Sequence, residues 1–113
     1  MNEVSKKSFE ECGPGLSQET ITKICRVFEE YAAINQVILY GSRAKGNYRK
    51  GSDIDLVLVG EEISLSQLVQ IENKIDDLLL PYKLDISIFH KIENPDLIDH
   101  IKRVGITIYN KSI

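Results

Sequence analysis

The chain has 113 residues, of which 42% are hydrophobic and 27% are charged, and these proportions are typical of a folded globular protein. A chain of this length forms one domain. Its net charge of -3 and its pI near 5.4 argue against a protein that grips long nucleic acid, because such proteins usually present a broad basic face.

The N-terminus and the two cysteines give no sign of export or of a membrane anchor. The start of the chain lacks the apolar segment of a signal peptide, and no run approaches the ~20 apolar residues that a membrane span needs. Cys12 and Cys25 form no metal-binding or disulfide pattern. We therefore expect a cytoplasmic protein with free thiols and no membrane contact.

The first predicted helix follows an N-terminal arm. Residues 1–15 mix charges with glycine and proline and show no sustained period, which predicts a loose arm ahead of a domain over residues 16–113. Ser17 is a suitable N-cap for the helix. Its apolar residues recur at helical spacing and predict a face packed on the core: Ile21, Ile24, Cys25, Phe28 and Tyr31.

Two apolar runs separated by a basic loop predict a pair of strands. Val37–Tyr40 is apolar throughout, as in a strand buried on both faces, and it ends at Gly41. Residues 43–52 hold four of the fourteen Lys and Arg residues, which we interpret as a short helical turn followed by an open loop. The second strand is predicted over Asp53–Val59, where β-branched residues are frequent.

A capping box and an alternating segment predict the next helix and strand. Ser64 and Gln67 have the spacing of a capping box. A strand is predicted over Lys83–Phe89, where apolar and other residues alternate. The helix between them is expected to turn six apolar residues to the core: Leu65, Leu68, Ile71, Ile75, Leu78 and Leu79.

The C-terminal part predicts one more helix and a short apolar segment. Asn94 is a suitable cap, Pro95 suits the first helical position, and Gly105 is expected in the left-handed conformation that ends many helices. Ile106–Tyr109 is either a closing edge strand or a packed tail. The order of elements predicts an α/β fold, in which helices flank a small mixed β-sheet.

Acidic residues at the start of two strands are the main functional indication. Side chains two apart in a strand share a face, so Asp53 and Asp55 project together, with Cα atoms roughly 6.6 Å apart. Asp85 also lies early in its strand. If the two strands are neighbours, three carboxylates meet at one end of the sheet, and oxygen ligands of this kind suit Mg²⁺ or Mn²⁺.

The Gly41-Ser42 pair supplies a possible phosphate site near these carboxylates. A glycine and a hydroxyl at a strand end let backbone N–H groups approach phosphate oxygens closely, and the basic loop adds a favourable field for a triphosphate. Nucleotidyl transfer needs this combination, because two metal ions ~3.5 to 4 Å apart stabilise the attacking hydroxyl and the departing pyrophosphate.

Other interpretations of these residues fit less well or remain open. The segment from Gly41 to Gly46 is not a P-loop, because no Lys-Ser/Thr pair follows Gly46. A phosphatase of the DxD type places its aspartates after an apolar strand, whereas here the strand follows them. The basic loop could also be a solvated surface. We expect the histidines and most tyrosines to be surface, capping, packing or rim residues: His90, His100, Tyr40, Tyr48, Tyr82 and Tyr109.

The spacing of Gly41-Ser42, ten further residues and Asp53-Ile54-Asp55 resembles the GS-x10-DxD signature of the nucleotidyltransferase superfamily that includes DNA polymerase beta and the aminoglycoside nucleotidyltransferases. The segments GSRAKG and SDIDL look like the minimal nucleotidyltransferases (MNT), the MntA-type antitoxins encoded beside HEPN-domain toxins. The resemblance covers about residues 20–90 and implies a polymerase beta-like palm fold.

The resemblance also implies roles for individual residues. Asp53 and Asp55 would bind two Mg²⁺ ions, and Asp85, which falls where the family has its third carboxylate, would ligate one of them and help to activate the acceptor hydroxyl. The triphosphate of ATP would be held by Gly41, Ser42 and Arg43. The implied activity is transfer of AMP from ATP to a tyrosine of a HEPN ribonuclease toxin, which silences the toxin.

Two rival functions remain open at this point. The chain shows no obvious acceptor-binding region, which leaves room for an antitoxin that only occludes its partner without catalysis. Nucleotidylation of a small molecule such as an antibiotic is a further alternative, although relatives with that activity tend to carry an additional helical domain. A homo- or hetero-oligomer is compatible with every one of these functions.

Overall fold

The computed structural model of the protein describes residues 15–49 and 51–111. Its elements are α1 (Gln18–Phe28), β1 (Gln36–Tyr40), α2 (Gly41–Lys45), β2 (Ile54–Val59), α3 (Leu65–Asp76), β3 (Leu84–Ile88), a 3-10 helix (Phe89–Lys91), α4 (Pro95–Val104) and β4 (Ile106–Asn110). The predicted order of elements is confirmed. Apart from Gly15, the predicted N-terminal arm lies outside the described residues.

The strands form one mixed sheet in the order β3-β2-β1-β4. β1 is antiparallel to both β2 and β4, whereas β2 and β3 are parallel. A parallel pair needs a crossover connection, and α3 provides it. The segment predicted as either an edge strand or a packed tail is therefore a strand, and the predicted small mixed sheet with flanking helices is confirmed.

One face of the sheet carries the main core. Leu39 on β1, Leu56 on β2 and Ile86 on β3 stand in register across the sheet, and each is at most 7% exposed. Helices α1 and α3 cover this face with the buried side chains of Ile24, Phe28, Ile71 and Ile75. Full burial of a single large apolar side chain contributes about 1.5 to 3 kcal/mol, so this face supplies most of the stability of the fold.

The opposite face is covered only in part. Helix α4 packs on it through Ile101, which forms a small second cluster with Tyr40 and Val57. Asp55 and Asp85 lie on this same face and remain half-buried and exposed, respectively. The alternation of side chains along a strand thus places an apolar core on one side of β2 and carboxylates on the other.

The predicted N-caps of the three longer helices are confirmed. The Ser17 side chain accepts a hydrogen bond from the Thr20 N–H, and Ser64 and Gln67 form both halves of a capping box. Asn94 accepts hydrogen bonds from the two backbone N–H groups at Asp96 and Leu97. These caps fix where α1, α3 and α4 begin.

The left-handed conformation predicted for Gly105 is wrong. Its φ of -63° and ψ of 145° are extended, because the chain enters β4 at the next residue. Glycine is needed there for a different reason. A Cβ atom would lie 2.6 Å from Cγ2 of Ile38 and would overlap the carbonyl oxygen of Ile101, so a larger residue would push α4 away from β1.

The apolar face predicted for α3 is wrong at its two ends. Leu65 is 61% exposed and Leu79 is 87% exposed. Leu65 is the first residue of α3, one turn before Leu68, which packs against the core. Leu79 lies beyond the end of α3 in a turn with a φ of 56°, so the helical spacing no longer applies to it.

None of the helices in the described part of the chain is long and apolar enough to cross a membrane. The longest of them, α3, has 12 residues.

Candidate functional site

The parallel pairing of β2 and β3 brings two of the predicted carboxylates together. Asp55 is the register partner of Asp85, and neighbouring strands lie about 4.8 Å apart. Asp53 lies one residue before β2 and is exposed. The two strands are therefore neighbours, as the predicted cluster of carboxylates requires.

The electrostatics of Asp55 show that the site has an excess of negative charge. Burial raises the pKa of the Asp55 carboxyl above its usual value, and the charges of Asp85 and Asp53 raise the pKa further, while His100 acts in the opposite direction. A pKa raised in this way means that the ionised carboxylate is held at a cost. A bound cation would remove that cost.

The donor set fits Mg²⁺ in its chemistry, although the side chains are not gathered around one point. Carboxylate oxygens are the ligands that Mg²⁺ and Mn²⁺ take in proteins. Among residues 15–49 and 51–111, however, no group of three or more His, Cys, Asp or Glu side chains is close enough to hold a metal ion as it stands. A cation would therefore have to draw the mutually repelling carboxylates together.

Gly41 lies directly over Asp55. Its φ is +79°, a left-handed conformation that side chains other than glycine rarely adopt, and a Cβ atom at this position would overlap Oδ2 of Asp55. Two independent constraints therefore require glycine here. The strand β1 can turn into α2 above the carboxylate only because Gly41 has no side chain.

His100 also belongs to the site. The N–H of Gly41 donates a hydrogen bond of 3.1 Å to Nε2 of His100. The imidazole also makes an edge-on contact with the Tyr40 ring, and the centres of the two rings are 6.1 Å apart. His100 was predicted to be a surface or capping residue, but it lies at the site, because α4 folds back over the second face of the sheet. His90, in contrast, is exposed as predicted.

Tyr40 forms part of the floor of the site. The residue is 8% exposed. Burial raises the pKa of Tyr40, the nearby Ser87 side chain lowers it, and the charges of Asp85 and Asp55 raise it again. The sequence predicted a packing or rim role. The structure adds that the hydroxyl is close enough to the two carboxylates for their charges to raise its pKa.

Arg43 holds the loop that leads to Asp53. It is 3% exposed, and its Nε and Nη2 donate hydrogen bonds of 3.2 and 3.0 Å to the carbonyl oxygen of Ser52. The guanidinium also lies over the rings of Tyr48 and Tyr82, at 5.1 and 5.0 Å from their centres. These contacts fix the residue before Asp53, and the predicted contact of Arg43 with a triphosphate stays a prediction.

Residues 22–113, which include every one of these site residues, match the family model described as polymerase beta, nucleotidyltransferase. The chain belongs to this nucleotidyltransferase family. Two relatives in Methanocaldococcus jannaschii carry the name protein adenylyltransferase, and each is 32% identical to this nucleotidyltransferase over 79 residues, which cover 69% of this chain and 80% of the relative.

Solved structures share the fold of this nucleotidyltransferase. A toxin-antitoxin crystal structure with AMP-PNP has a TM-score of 0.64 at 18% identity and covers 85% of this chain and 75% of that chain. A complex of an MNT antitoxin with a tri-AMPylated Shewanella oneidensis HEPN toxin gives 0.63 at 14% identity, with 85% and 74% covered. A Sulfolobus solfataricus protein described as a nucleotidyltransferase gives 0.52 at 16% identity, with 97% and 94% covered. The predicted polymerase beta-like fold is confirmed.

The predicted site residues of this nucleotidyltransferase fall into two groups. Gly41, Asp55 and Asp85 are brought together above the second face of the sheet, with Ser42 next to Gly41 in α2. Arg43 acts on the loop that leads to Asp53. Sequence reasoning missed His100 at the site. Its one indication in the sequence was its spacing of three residues after Leu97 and four before Val104, which places it on the apolar face of an amphipathic helix.

Proposed function

We propose that this nucleotidyltransferase uses Mg²⁺ to transfer AMP from ATP to a tyrosine hydroxyl of a HEPN ribonuclease toxin, and that it thereby acts as the antitoxin of that toxin. The observation that carries the proposal is the register of Asp55 and Asp85 under the Gly41 turn. Support comes from the relatives named protein adenylyltransferase and from the fold shared with antitoxins solved beside HEPN toxins.

The proposed reaction is an in-line displacement at the α-phosphorus of ATP. The oxygen of the acceptor hydroxyl forms a bond to this phosphorus, and the bond from the phosphorus to the oxygen that bridges to the β-phosphate breaks. Pyrophosphate leaves with that electron pair, and the hydroxyl gives up its proton to a base. Asp85 is our candidate for this base, because it is the exposed carboxylate beside Asp55.

The carboxylates and the turn have separate tasks in this proposal. Asp53, Asp55 and Asp85 would hold the Mg²⁺ ions, whose positive charge would stabilise the triphosphate and the leaving pyrophosphate. Gly41 and Ser42 would place the triphosphate next to them, and Arg43 would keep the loop before Asp53 in place. Burial and the charges of Asp85 and Asp53, which raise the pKa of Asp55, would favour the binding of a cation beside it.

A labelling experiment tests the proposal. The purified protein is incubated with the product of the neighbouring gene, Mg²⁺ and ATP labelled at the α-phosphate. We expect that product to be a HEPN protein that takes up the label, and mass spectrometry should find AMP on one of its tyrosines. Variants Asp53→Ala and Asp55→Ala should not transfer the label. Glu61→Ala is the matched control, because it removes an exposed carboxylate from the turn after β2, outside the site.

Three outcomes would overturn the proposal. The first is the absence of transfer from any nucleoside triphosphate, with both aspartate variants indistinguishable from the wild type. The second is a cell in which Asp53→Ala silences the toxin as well as the wild type does, since occlusion of the partner would then be sufficient. Transfer of the label to an antibiotic in place of the HEPN protein would show the wrong acceptor class.

A further inference from the structure

We propose that His100 is a positioning residue of the nucleotide site, and that its imidazole fixes the peptide of Gly41 above Asp55. The consequence for catalysis rests on the proposed function, whereas the hydrogen bond between Gly41 and His100 does not depend on it. The Gly41 N–H donates to Nε2 of His100 at 3.1 Å, across 59 residues of sequence.

The Gly41 turn needs a partner of this kind. It has a left-handed φ of +79° and lies directly against the carboxylate of Asp55. A backbone N–H that is partly shielded from water is unfavourable unless it is hydrogen-bonded. The imidazole supplies the acceptor for this N–H, so it favours the one orientation of the turn that leaves room for the carboxylate.

The imidazole is held in place by its surroundings. Ile101, the next residue of α4, is 2% exposed and packs with Tyr40 and Val57, while the ring of His100 meets the Tyr40 ring at an interplanar angle of 80°. At the end of α4, Gly105 lets the helix approach Ile38 on β1 closely. The helix therefore presents His100 to the turn from a fixed position.

The contact separates the tasks of Gly41 and Ser42. A backbone N–H makes one strong hydrogen bond, so the Gly41 N–H is not available to a phosphate oxygen while it is bound to His100. We assign to Gly41 the shape of the turn, and to Ser42 the polar contact with the triphosphate. The accepting Nε2 must carry a lone pair, which places the proton of a neutral imidazole on Nδ1.

Nuclear magnetic resonance of the full chain tests the contact without nucleotide or partner. In His100→Leu, the Gly41 amide proton should shift and exchange with solvent roughly tenfold faster, because a net hydrogen bond of ordinary strength is lost. His100→Gln keeps an acceptor at a similar reach and should retain most of the protection. His90→Leu, which removes the exposed histidine, should leave Gly41 unchanged. An unchanged Gly41 amide in His100→Leu would overturn the assignment.

Nucleotide binding tests the consequence. In His100→Leu, the Kd for a nonhydrolysable ATP analogue with Mg²⁺ should rise roughly threefold to tenfold, the KM for ATP should rise by a similar factor, and kcat should change less than about twofold. His100→Gln should restore binding to near the wild-type value. A Leu variant with wild-type Kd and KM, or a Gln variant as weak as the Leu variant, would overturn the positioning role.

The two proposals fail in different ways. If no HEPN protein is labelled but the Gly41 amide responds to His100→Leu, the proposed function is wrong and the contact stands. If the label is transferred but the amide and the Kd do not respond, only the role of His100 is wrong. Should His100→Leu fail to fold, the Gln variant and the nitrogen spectrum of the wild type decide, because a protonated Nε2 in that spectrum would contradict the assignment.

Discussion

On one face of the sheet Leu39, Leu56 and Ile86 stand in register across three strands, and on the other face Tyr40, Asp55 and Asp85 stand in register across the same three strands. The first row is at most 7% exposed under α1 and α3. The second row is covered by α4 in part and ends in carboxylates that repel each other. Of two adjacent residues in one strand, one can therefore stabilise the core while the other contributes to the candidate site.

The largest expected effect is on catalysis and concerns Asp85. Asp85→Ala should lower the rate of AMP transfer by at least roughly 100-fold, because it removes a proposed metal ligand and base. The melting temperature should not fall, since the side chain is exposed and its negative charge repels that of Asp55. Transfer rates and thermal melts of the same preparation measure both quantities. A variant that loses stability together with activity would show that the two faces are not independent.

The next effect concerns Ile86, the neighbour of Asp85 on the other face. Ile86→Ala should lower the free energy of unfolding by about 2 to 4 kcal/mol, because it leaves a cavity in the main core. Urea denaturation measures this change, and Leu79→Ala is the control, because Leu79 is 87% exposed. The transfer rate per folded molecule should be retained. A loss below about 0.5 kcal/mol would contradict the division between the faces.

A pair of glycines tests how closely the turn fits over Asp55. Gly41→Ala and Gly46→Ala both place a side chain at positive φ, +79° and +90°, but only at Gly41 would the added Cβ overlap another group, Oδ2 of Asp55. Backbone strain alone should cost about 1 to 2 kcal/mol in each, and Gly41→Ala should cost more. Urea denaturation compares them.

The Asp55→Ala background identifies the source of the difference between the two glycines. If the overlap with the carboxylate causes it, the additional cost of Gly41→Ala should shrink when Asp55 is also alanine, and the two changes should be non-additive. Equal costs for the two glycine variants in the wild-type background would mean that the turn does not fit closely over Asp55.

The smallest expected effect is the electrostatic cost of Asp55 in the protein without metal. Because its pKa is raised on folding, the carboxyl lowers stability where it is ionised in both states and has no such effect where it is protonated in both. In EDTA, Asp55→Asn should therefore melt above the wild type at neutral pH. The difference should shrink as the pH falls through the folded-state pKa.

Thermal melts from neutral to acidic pH measure this effect, with Glu61→Gln as the control for the loss of an exposed carboxylate. Mg²⁺ with a nonhydrolysable ATP analogue should raise the melting temperature of the wild type more than that of Asp55→Asn. A variant that melts below the wild type in EDTA at neutral pH would contradict the excess of negative charge at the site.

Much of the fold followed from local sequence patterns. The N-caps at Ser17, Ser64 and Asn94 act through bonds within one turn, so their effect does not depend on the rest of the chain. The errors occurred where neighbours decide the outcome. Leu79 follows the helical spacing but lies beyond the end of α3, and Gly105 is extended because β4 begins at the next residue.

The same division applies to the site. The prediction that Asp53 and Asp55 project together used the period of two residues along a strand, but Asp53 lies one residue before β2; the family signature included Gly41 and Ser42. The contacts of Arg43 with Ser52 and two tyrosines could not be predicted, because they depend on how the loop closes. His100 was missed for a similar reason, since its partner is 59 residues away.

The sequence by itself determined which residues carry charge and on which side of each strand they lie, because alternation and capping are local properties of the backbone. Only the tertiary structure decided that Asp85 stands beside Asp55 and that α4 brings His100 to Gly41. Both contacts depend on strand order and helix packing, which arise from burial of the core as a whole. The carboxylates could be identified from the sequence, whereas the groups that position them could be identified only from the tertiary structure.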